Sequence, residues 1–115
     1  MKDKAFQNAA AQLYNSGKAS FDAYKYQDAL DDLEQSYKYD KSYNTEYHIA
    51  MCYKYLNKNT DKAQEYFYDI INNSGDSELI RKAANLGLDM VINSAKEAAA
   101  KAKGGSTTTD SKSDT

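Results

Sequence analysis

The chain has 115 residues, of which 41% are hydrophobic and 28% are charged, and its formal net charge is −2. This length predicts one small domain, and the slightly acidic balance disfavours nucleic-acid binding, which usually relies on clustered basic residues. No apolar run approaches the roughly 18 residues that a membrane-spanning helix needs, and residues 1–11 lack the apolar core of a signal peptide, so no membrane contact is expected within these residues.

The sequence predicts five amphipathic helices, because proline is absent and apolar residues recur at steps of three and four. The first helix is expected over residues 2–22, and a break at residues 24–25 separates it from the second. The second ends near residues 40–42. The third extends to a turn at residues 57–60, where Thr60 is the expected N-cap of the fourth helix.

The fourth helix is expected to stop at Gly75, which can adopt the left-handed conformation that ends helices. Asp76 or Ser77 then caps a fifth helix. Its inner face is predicted to contain Leu79, Ile80, Ala83, Ala84, Leu88 and Val91. We therefore predict one helical domain over residues 1–103. The tail at residues 104–115 has no apolar side chain and is expected to be flexible.

The chain contains an internal repeat. Setting the second helix against the fourth aligns Ala29 with Ala63 at a shift of 34 residues. Setting the first helix against the third aligns Gly17 with Ala50 at a shift of 33. Such a period is typical of stacked helix-turn-helix units. The simplest interpretation is two units followed by one extra helix.

At these positions the chain resembles the tetratricopeptide repeat family over roughly residues 8–92. The matching residues are Gly17, Tyr26, Ala29 and Leu33 in the first unit, and Ala50, Tyr53, Leu56, Ala63 and Phe67 in the second. Leu13 and Glu46 stand where the family has tryptophan. The resemblance implies an all-α fold of antiparallel helix-turn-helix repeats wound into a superhelix with a concave groove.

The resemblance also implies a binding surface, because in this family the first helix of each unit lines a groove for extended peptides or partner helices. The corresponding residues here are Tyr14, Lys18, Phe21, Tyr47, His48, Met51, Lys54, Tyr55, Arg81 and Asn85, together with Asp22, Lys82 and Leu88. Aromatic side chains beside a few cations are suited to protein recognition. We therefore interpret the chain as a protein–protein interaction module rather than an enzyme.

An enzymatic alternative depends on His48 and Cys52, which lie four residues apart on one predicted helix. Such a pair could bind a metal or act as base and nucleophile, provided that both side chains are accessible in one pocket. The chain has only one histidine and one cysteine, so a metal site with three such ligands cannot form. Cys52 also stands where the repeat buries a small side chain. We expect a packed thiol, no catalytic residue, no metal and no cofactor.

A structural spacer or oligomerisation domain without a specific ligand is the second alternative. Two repeats are fewer than the three usually needed for stability, so we expect either that the extended fifth helix acts as a cap or that the domain forms a homodimer. An exposed stripe of Tyr47, Met51 and Tyr55 would favour binding, and burial of the same residues would favour the spacer. The residues "NSGDS" and the Tyr-Lys-Asn-rich composition also look like repeat domains of bacterial envelope proteins. This likeness favours an extracytoplasmic location in a membrane-anchored protein.

Overall fold

The computed structural model describes residues 3–105 and contains five α-helices in this range. They are α1 (Lys4–Asp22), α2 (Tyr26–Tyr39), α3 (Tyr43–Leu56), α4 (Thr60–Asn73) and α5 (Ser77–Gly105). Each helix packs against the next one along the chain, and the short connections make neighbours antiparallel. The expected all-α fold of antiparallel helix-turn-helix units is confirmed. No helix in the described range is long and apolar enough to cross a membrane.

The helices form two layers. α1, α3 and α5 contact one another in that order on one side, and α2 and α4 lie on the other side. The core fills the space between the layers, and its largest fully buried apolar side chains are Phe67, Leu33, Ile49 and Ile70. The molecule measures 60 × 29 × 20 Å, and its long dimension reflects α5. A helix of 29 residues is about 43 Å long.

The turn between α3 and α4 uses two asparagines in the left-handed conformation. Asn57 has a φ of 56° and Asn59 has a φ of 53°. The prediction that Thr60 is the N-cap of α4 is wrong, because Asn59 occupies the cap and Thr60 is the first helical residue. Asparagine tolerates positive φ better than a β-branched threonine does, which explains the shift by one residue.

The turn before α5 agrees with the prediction. Gly75 has a φ of 69°, the left-handed conformation expected after α4. Asp76 caps α5, since its Oδ1 accepts a hydrogen bond from the backbone N–H of Leu79 at 3.1 Å. A short side chain with an acceptor oxygen at this position satisfies one of the free N–H groups of the first turn.

The predicted inner face of α5 is correct in its first turns and wrong further along. Leu79 and Ala83 are buried, Ile80 is half-buried, and Ala84, Leu88 and Val91 are exposed. The buried residues of the second half are instead Gly87 and Met90. Gly87 faces α4, where an added Cβ would lie 3.4 Å from Cδ2 of Phe67, an ordinary packing distance. α5 carries two apolar stripes, and α4 covers only the one that contains this glycine.

The C-terminal end of α5 differs slightly from the sequence prediction. The helix continues to Gly105, two residues beyond the predicted boundary at residue 103. The remainder of the predicted tail, residues 106–115, lies outside the described residues.

Candidate functional site

Aromatic rings from α1, α2 and α3 form one continuous cluster, which we call the aromatic cluster. Its members are Tyr14, Phe21, Tyr26, His48 and Tyr55. His48 meets Tyr14 and Phe21 edge to face, with ring centroids 5.8 and 5.6 Å apart. Phe21 lies 5.9 Å from Tyr55, which stacks on Tyr26 at 4.8 Å. These are favourable distances for aromatic pairs, so the cluster forms a connected surface.

Helical spacing explains why these side chains meet. Tyr14 and Phe21 lie seven residues apart on α1, and His48 and Tyr55 lie seven apart on α3. Seven residues are close to two helical turns, so each pair shares one face of its helix. α1 and α3 are neighbours in the same layer. The two faces therefore combine into one patch on the layer formed by α1, α3 and α5.

His48 is the polar centre of the cluster. Its Nδ1 lies 2.8 Å from the carbonyl oxygen of Asn44, so Nδ1 carries the proton and donates it. Burial lowers the pKa of His48, and the charges of Lys18 and Lys82 lower it further, while the Asn44 contact and Asp22 raise it. The imidazole is therefore neutral near pH 7, and its Nε2 is an acceptor for a hydrogen bond.

Two lysines lie at the edge of the cluster. The Lys18 ammonium is 3.3 Å from the carboxylate of Asp22, and the Lys54 ammonium is 3.9 Å from that of Asp89. The Lys54 ammonium also lies 5.8 Å from the ring centroid of Tyr55. The Lys18 pair is solvent-exposed and contributes little to stability, so Lys18 can exchange Asp22 for a group of a ligand. The Lys54 side chain is only 21% exposed, but its partner Asp89 is 59% exposed.

The structure brings seven of the sequence-predicted site residues together. Tyr14, Phe21, Tyr47, His48 and Tyr55 are in ring contact, and Lys18 and Lys54 border them. Met51 is half-buried, while Arg81 and Asn85 are exposed on α5. Tyr26 belongs to the cluster, although the sequence identified it only as a match to the repeat. The signal that could have identified it is its place at the start of α2, beside the last turn of α1.

The stripe of Tyr47, Met51 and Tyr55 was expected to be exposed in a binding module and buried in a structural spacer. Its observed exposure lies between these two cases. Tyr47 and Met51 are half-buried, and Tyr55 is 47% exposed. The tyrosine hydroxyls give a clearer distinction. Tyr37 and Tyr53, on the opposite side, donate to glutamate carboxylates at 2.6 and 2.7 Å.

The hydroxyls on the cluster side behave differently from those of Tyr37 and Tyr53. Within residues 3–105, no hydrogen bond joins the hydroxyl of Tyr14, Tyr47 or Tyr55 to another residue. A tyrosine that serves only packing usually finds a partner for its hydroxyl when it is buried. None of these three tyrosines is fully buried, so their hydroxyls can bond to water or to another molecule.

A cavity of about 250 Å³ adjoins the cluster at Tyr14, between α1 and the start of α3. Its lining includes the amide side chains of Gln7, Asn15 and Asn44. Amides both donate and accept hydrogen bonds, as a peptide backbone requires of its partner. The aromatic patch therefore continues into a polar recess.

Cys52 does not share this surface. Its side chain is fully buried, and burial raises the pKa of its thiol to about 12. A thiolate nucleophile near neutral pH is therefore disfavoured. The condition set for a Cys52–His48 site, that both side chains be accessible in one pocket, is not met. Among residues 3–105, no group of three His, Cys, Asp or Glu side chains could hold a metal ion.

The chain matches no family model, no curated protein and no solved structure in comparisons with known proteins. What the molecule does must therefore be inferred from its own residues. The features available for this inference are the aromatic cluster, its bordering lysines and the recess beside Tyr14.

Proposed function

We propose that the chain is a protein-interaction module built from tetratricopeptide-like repeats. It binds an extended peptide or a partner helix on the face of the α1–α3–α5 layer. The observation that carries this proposal is the aromatic cluster with its unbonded hydroxyls on Tyr14 and Tyr55. Partly exposed tyrosines provide large contact area at low entropic cost, and they are enriched at the centres of protein interfaces.

The chemistry of the patch favours a ligand that has apolar side chains and backbone amides. The rings of Phe21 and Tyr55 offer apolar contact, and the Nε2 of His48 accepts a hydrogen bond. Lys18 and Lys54 can pair with a carboxylate of the ligand, which would replace their exposed partners. We therefore expect the preferred ligand to contain an aromatic or large aliphatic residue flanked by an acidic one.

A selection from a random peptide library displayed on phage tests this proposal. The immobilised bait is the purified 115-residue chain, and calorimetry then measures the affinity of the enriched peptides. Phe21→Ala and Tyr55→Ala should each weaken binding at least tenfold, because truncating a central interface aromatic typically costs more than about 1.4 kcal/mol.

Tyr68→Ala is the matched control. Tyr68 is an exposed tyrosine on α4, in the other layer, so its removal should leave the affinity unchanged. Far-UV circular dichroism establishes that each variant retains its helices. Enrichment of no common motif, or equal losses in Tyr55→Ala and Tyr68→Ala, would contradict the proposal.

A structural spacer that dimerises is the second candidate, and one observation favours it. Leu88, Val91 and Ile92 form an apolar stripe on α5, with 59%, 51% and 41% of their surfaces exposed. Contiguous exposed apolar residues often mark an interface between copies of a chain. Light scattering should then report a dimer, and Val91→Lys should convert it to a monomer. A monomer at all concentrations up to about 1 mM would rule out this candidate.

A further inference from the structure

A second cavity, of about 140 Å³, lies where α2, α3 and α4 meet, away from the aromatic cluster. Its lining residues are Tyr37, Lys41, Ser42, Tyr43, Glu46 and Asp69. Glu46 is unusual among them, because only 2% of its surface is exposed although it carries a carboxyl group. It also stands where the resembling family has tryptophan. A buried carboxyl needs hydrogen-bond partners or a counter-charge.

The partners of Glu46 are incomplete. Its Oε2 accepts a hydrogen bond from the Tyr37 hydroxyl at 2.6 Å. Its Oε1 is buried and receives no hydrogen bond from an N–H or O–H group of residues 3–105. The carboxylate of Asp69 lines the same cavity and is itself an acceptor, so it can bond to Glu46 only if the two carboxyl groups share a proton.

The proton resides on Glu46. Burial, and next Asp69, raise the pKa of Glu46 to about 7 against the opposing effects of the Tyr37 hydroxyl and the charge of Lys41. The hydrogen bond from Glu46 in turn lowers the pKa of Asp69. Near pH 7 the Glu46 carboxyl is therefore only partly protonated.

The charges around the cavity show what could replace this proton. Lys41 and Asp69 cancel, and the hydroxyls of Tyr37 and of Tyr66 on α4 are uncharged at neutral pH, with raised pKa values. With the proton on Glu46 the group of side chains is neutral, and without it the net charge is −1. One monovalent cation in place of the proton restores neutrality.

We propose that this cavity binds a single organic cation, a primary ammonium or guanidinium group, in exchange for the proton shared by Glu46 and Asp69. Two carboxylates accept charge-assisted hydrogen bonds from such a group. The ring of Tyr43 in the lining provides an aromatic wall for a cation, while the ring of Tyr37 already faces the Lys41 ammonium at 5.9 Å. A metal ion fits less well, because the described residues supply only two carboxylates here and no group of three ligands. The site is separate from the peptide-binding patch and does not depend on it.

Nuclear magnetic resonance titration of the full chain with n-butylammonium tests the site. At pH 8 the signals of Ser42, Glu46 and Asp69 should shift saturably. Because one proton is displaced, the dissociation constant should rise about tenfold per pH unit below pH 7. By linkage, the pKa of the Glu46 carboxyl, read from its side-chain ¹³C shift, should fall in the presence of the ligand.

Three controls separate this site from general charge attraction. Tetramethylammonium has the same charge but no N–H donor, and it should bind at least tenfold more weakly. Glu46→Gln keeps an acceptor for Tyr37 but has no exchangeable charge, so binding should be lost. Glu65→Gln removes an exposed carboxylate on α4 and should change nothing. If Glu46→Gln does not fold, the parent chain provides the test. A fall in the pKa of Glu46 when the ligand is added supports the site, and an unchanged pKa contradicts it.

Titration with a second ligand, N-acetyl-lysine methylamide, distinguishes two sources of the cation, a lysine of a partner protein and a free amine. Tighter binding of this compound than of n-butylammonium indicates a lysine of a partner protein, and weaker binding indicates a free amine. Either result supports the site. The absence of saturable shifts at pH 8, equal binding of tetramethylammonium, or full binding by Glu46→Gln would overturn it.

Discussion

Gly17 sets the distance between α1 and α2. A Cβ at this position would lie 2.8 Å from Cγ of Leu33 and 3.2 Å from the carbonyl oxygen of Ala29. Both neighbours are fully buried and cannot move easily. Gly87 is less constrained, since the nearest atom to its added Cβ would be Oε1 of Gln64, the end of a flexible side chain, at 3.3 Å.

We predict that Gly17→Ala destabilises the fold although alanine favours helices. Overpacking costs about 1–3 kcal/mol, and the gain in helix propensity offsets about 0.5–1 kcal/mol of it. The net loss should be about 1 kcal/mol, the difference between the midpoints of these two ranges, in urea unfolding followed by circular dichroism. Gly87→Ala is the control and should be neutral or slightly stabilising. A Gly17→Ala chain as stable as its parent would show that the close contact with Leu33 is relieved.

Glu46 links stability to pH. Its pKa rises from an ordinary value of 4.5 to about 7 in the folded state, chiefly through burial. A raised folded-state pKa contributes stability that is fully present below the unfolded value and is lost as the pH rises through the folded one. The loss therefore occurs between pH 4.5 and about 7. His48 acts in the opposite direction, since its lowered pKa makes its contribution disappear as the pH falls below 6.5.

We predict that Glu46→Gln isolates this contribution. The stability of the variant relative to the parent should increase by about 1–3 kcal/mol between pH 4.5 and pH 7.5. Asp69, whose pKa is lowered, contributes mainly below pH 3.8, outside this window. Chemical denaturation of both chains across the pH range makes the comparison. Parallel curves would mean that the pKa of Glu46 is the same in the folded and unfolded states.

The sequence predicts single residues well where one helix determines their environment. Ala29 and Ala63 occupy equivalent positions in the repeat, and both are fully buried as small packing residues. Glu46 is different, because its burial depends on Tyr37 and Asp69 from two other helices. The pattern of α3 alone could not show that a carboxyl would lie inside.

At the scale of the helix, the start of α5 depends on its cap. Asp76 provides the only side-chain acceptor to the first turn of α5 seen among the described residues, through the N–H of Leu79. The start of α5 must be held in position, because Leu79 and Ala83 are the first residues of this helix that are buried.

We predict that Asp76→Ala lowers the free energy of unfolding by about 1 kcal/mol. Asp76→Asn preserves the acceptor oxygen and should retain most of the stability. Urea denaturation of the three chains at one pH makes the comparison. An equal loss in both variants would indicate that the charge of Asp76, rather than its hydrogen bond, stabilises α5.

Helix positions follow from the sequence more reliably than helix orientation does. All five helices were predicted, because breaks at Gly75 and at the asparagine turn are strong local signals. The inner face of α5 was predicted incorrectly after Ala83. Leu88 and Val91 continue one apolar stripe, but α4 packs on the stripe that contains Gly87. A pattern with two stripes does not reveal which of them the neighbouring helix covers.

At the scale of the whole molecule, stacking α1, α3 and α5 in one layer turns separate helix faces into a single surface. Tyr14, Phe21, His48 and Tyr55 come from two helices that are distant in sequence, and they meet only because these helices are neighbours in the layer. The repeat predicted this arrangement. It did not predict that Tyr26 would extend the surface toward α2.

The most direct test is a map of amide and aromatic shift changes when a library-selected peptide is added to the isotope-labelled chain. The predicted result is that the largest changes occur at Tyr14, Phe21, His48 and Tyr55 and disappear in Tyr55→Ala but not in Tyr68→Ala. If the changes are instead confined to Leu88, Val91 and Ile92, or no selected peptide perturbs the aromatic cluster, the proposed protein-binding face is contradicted.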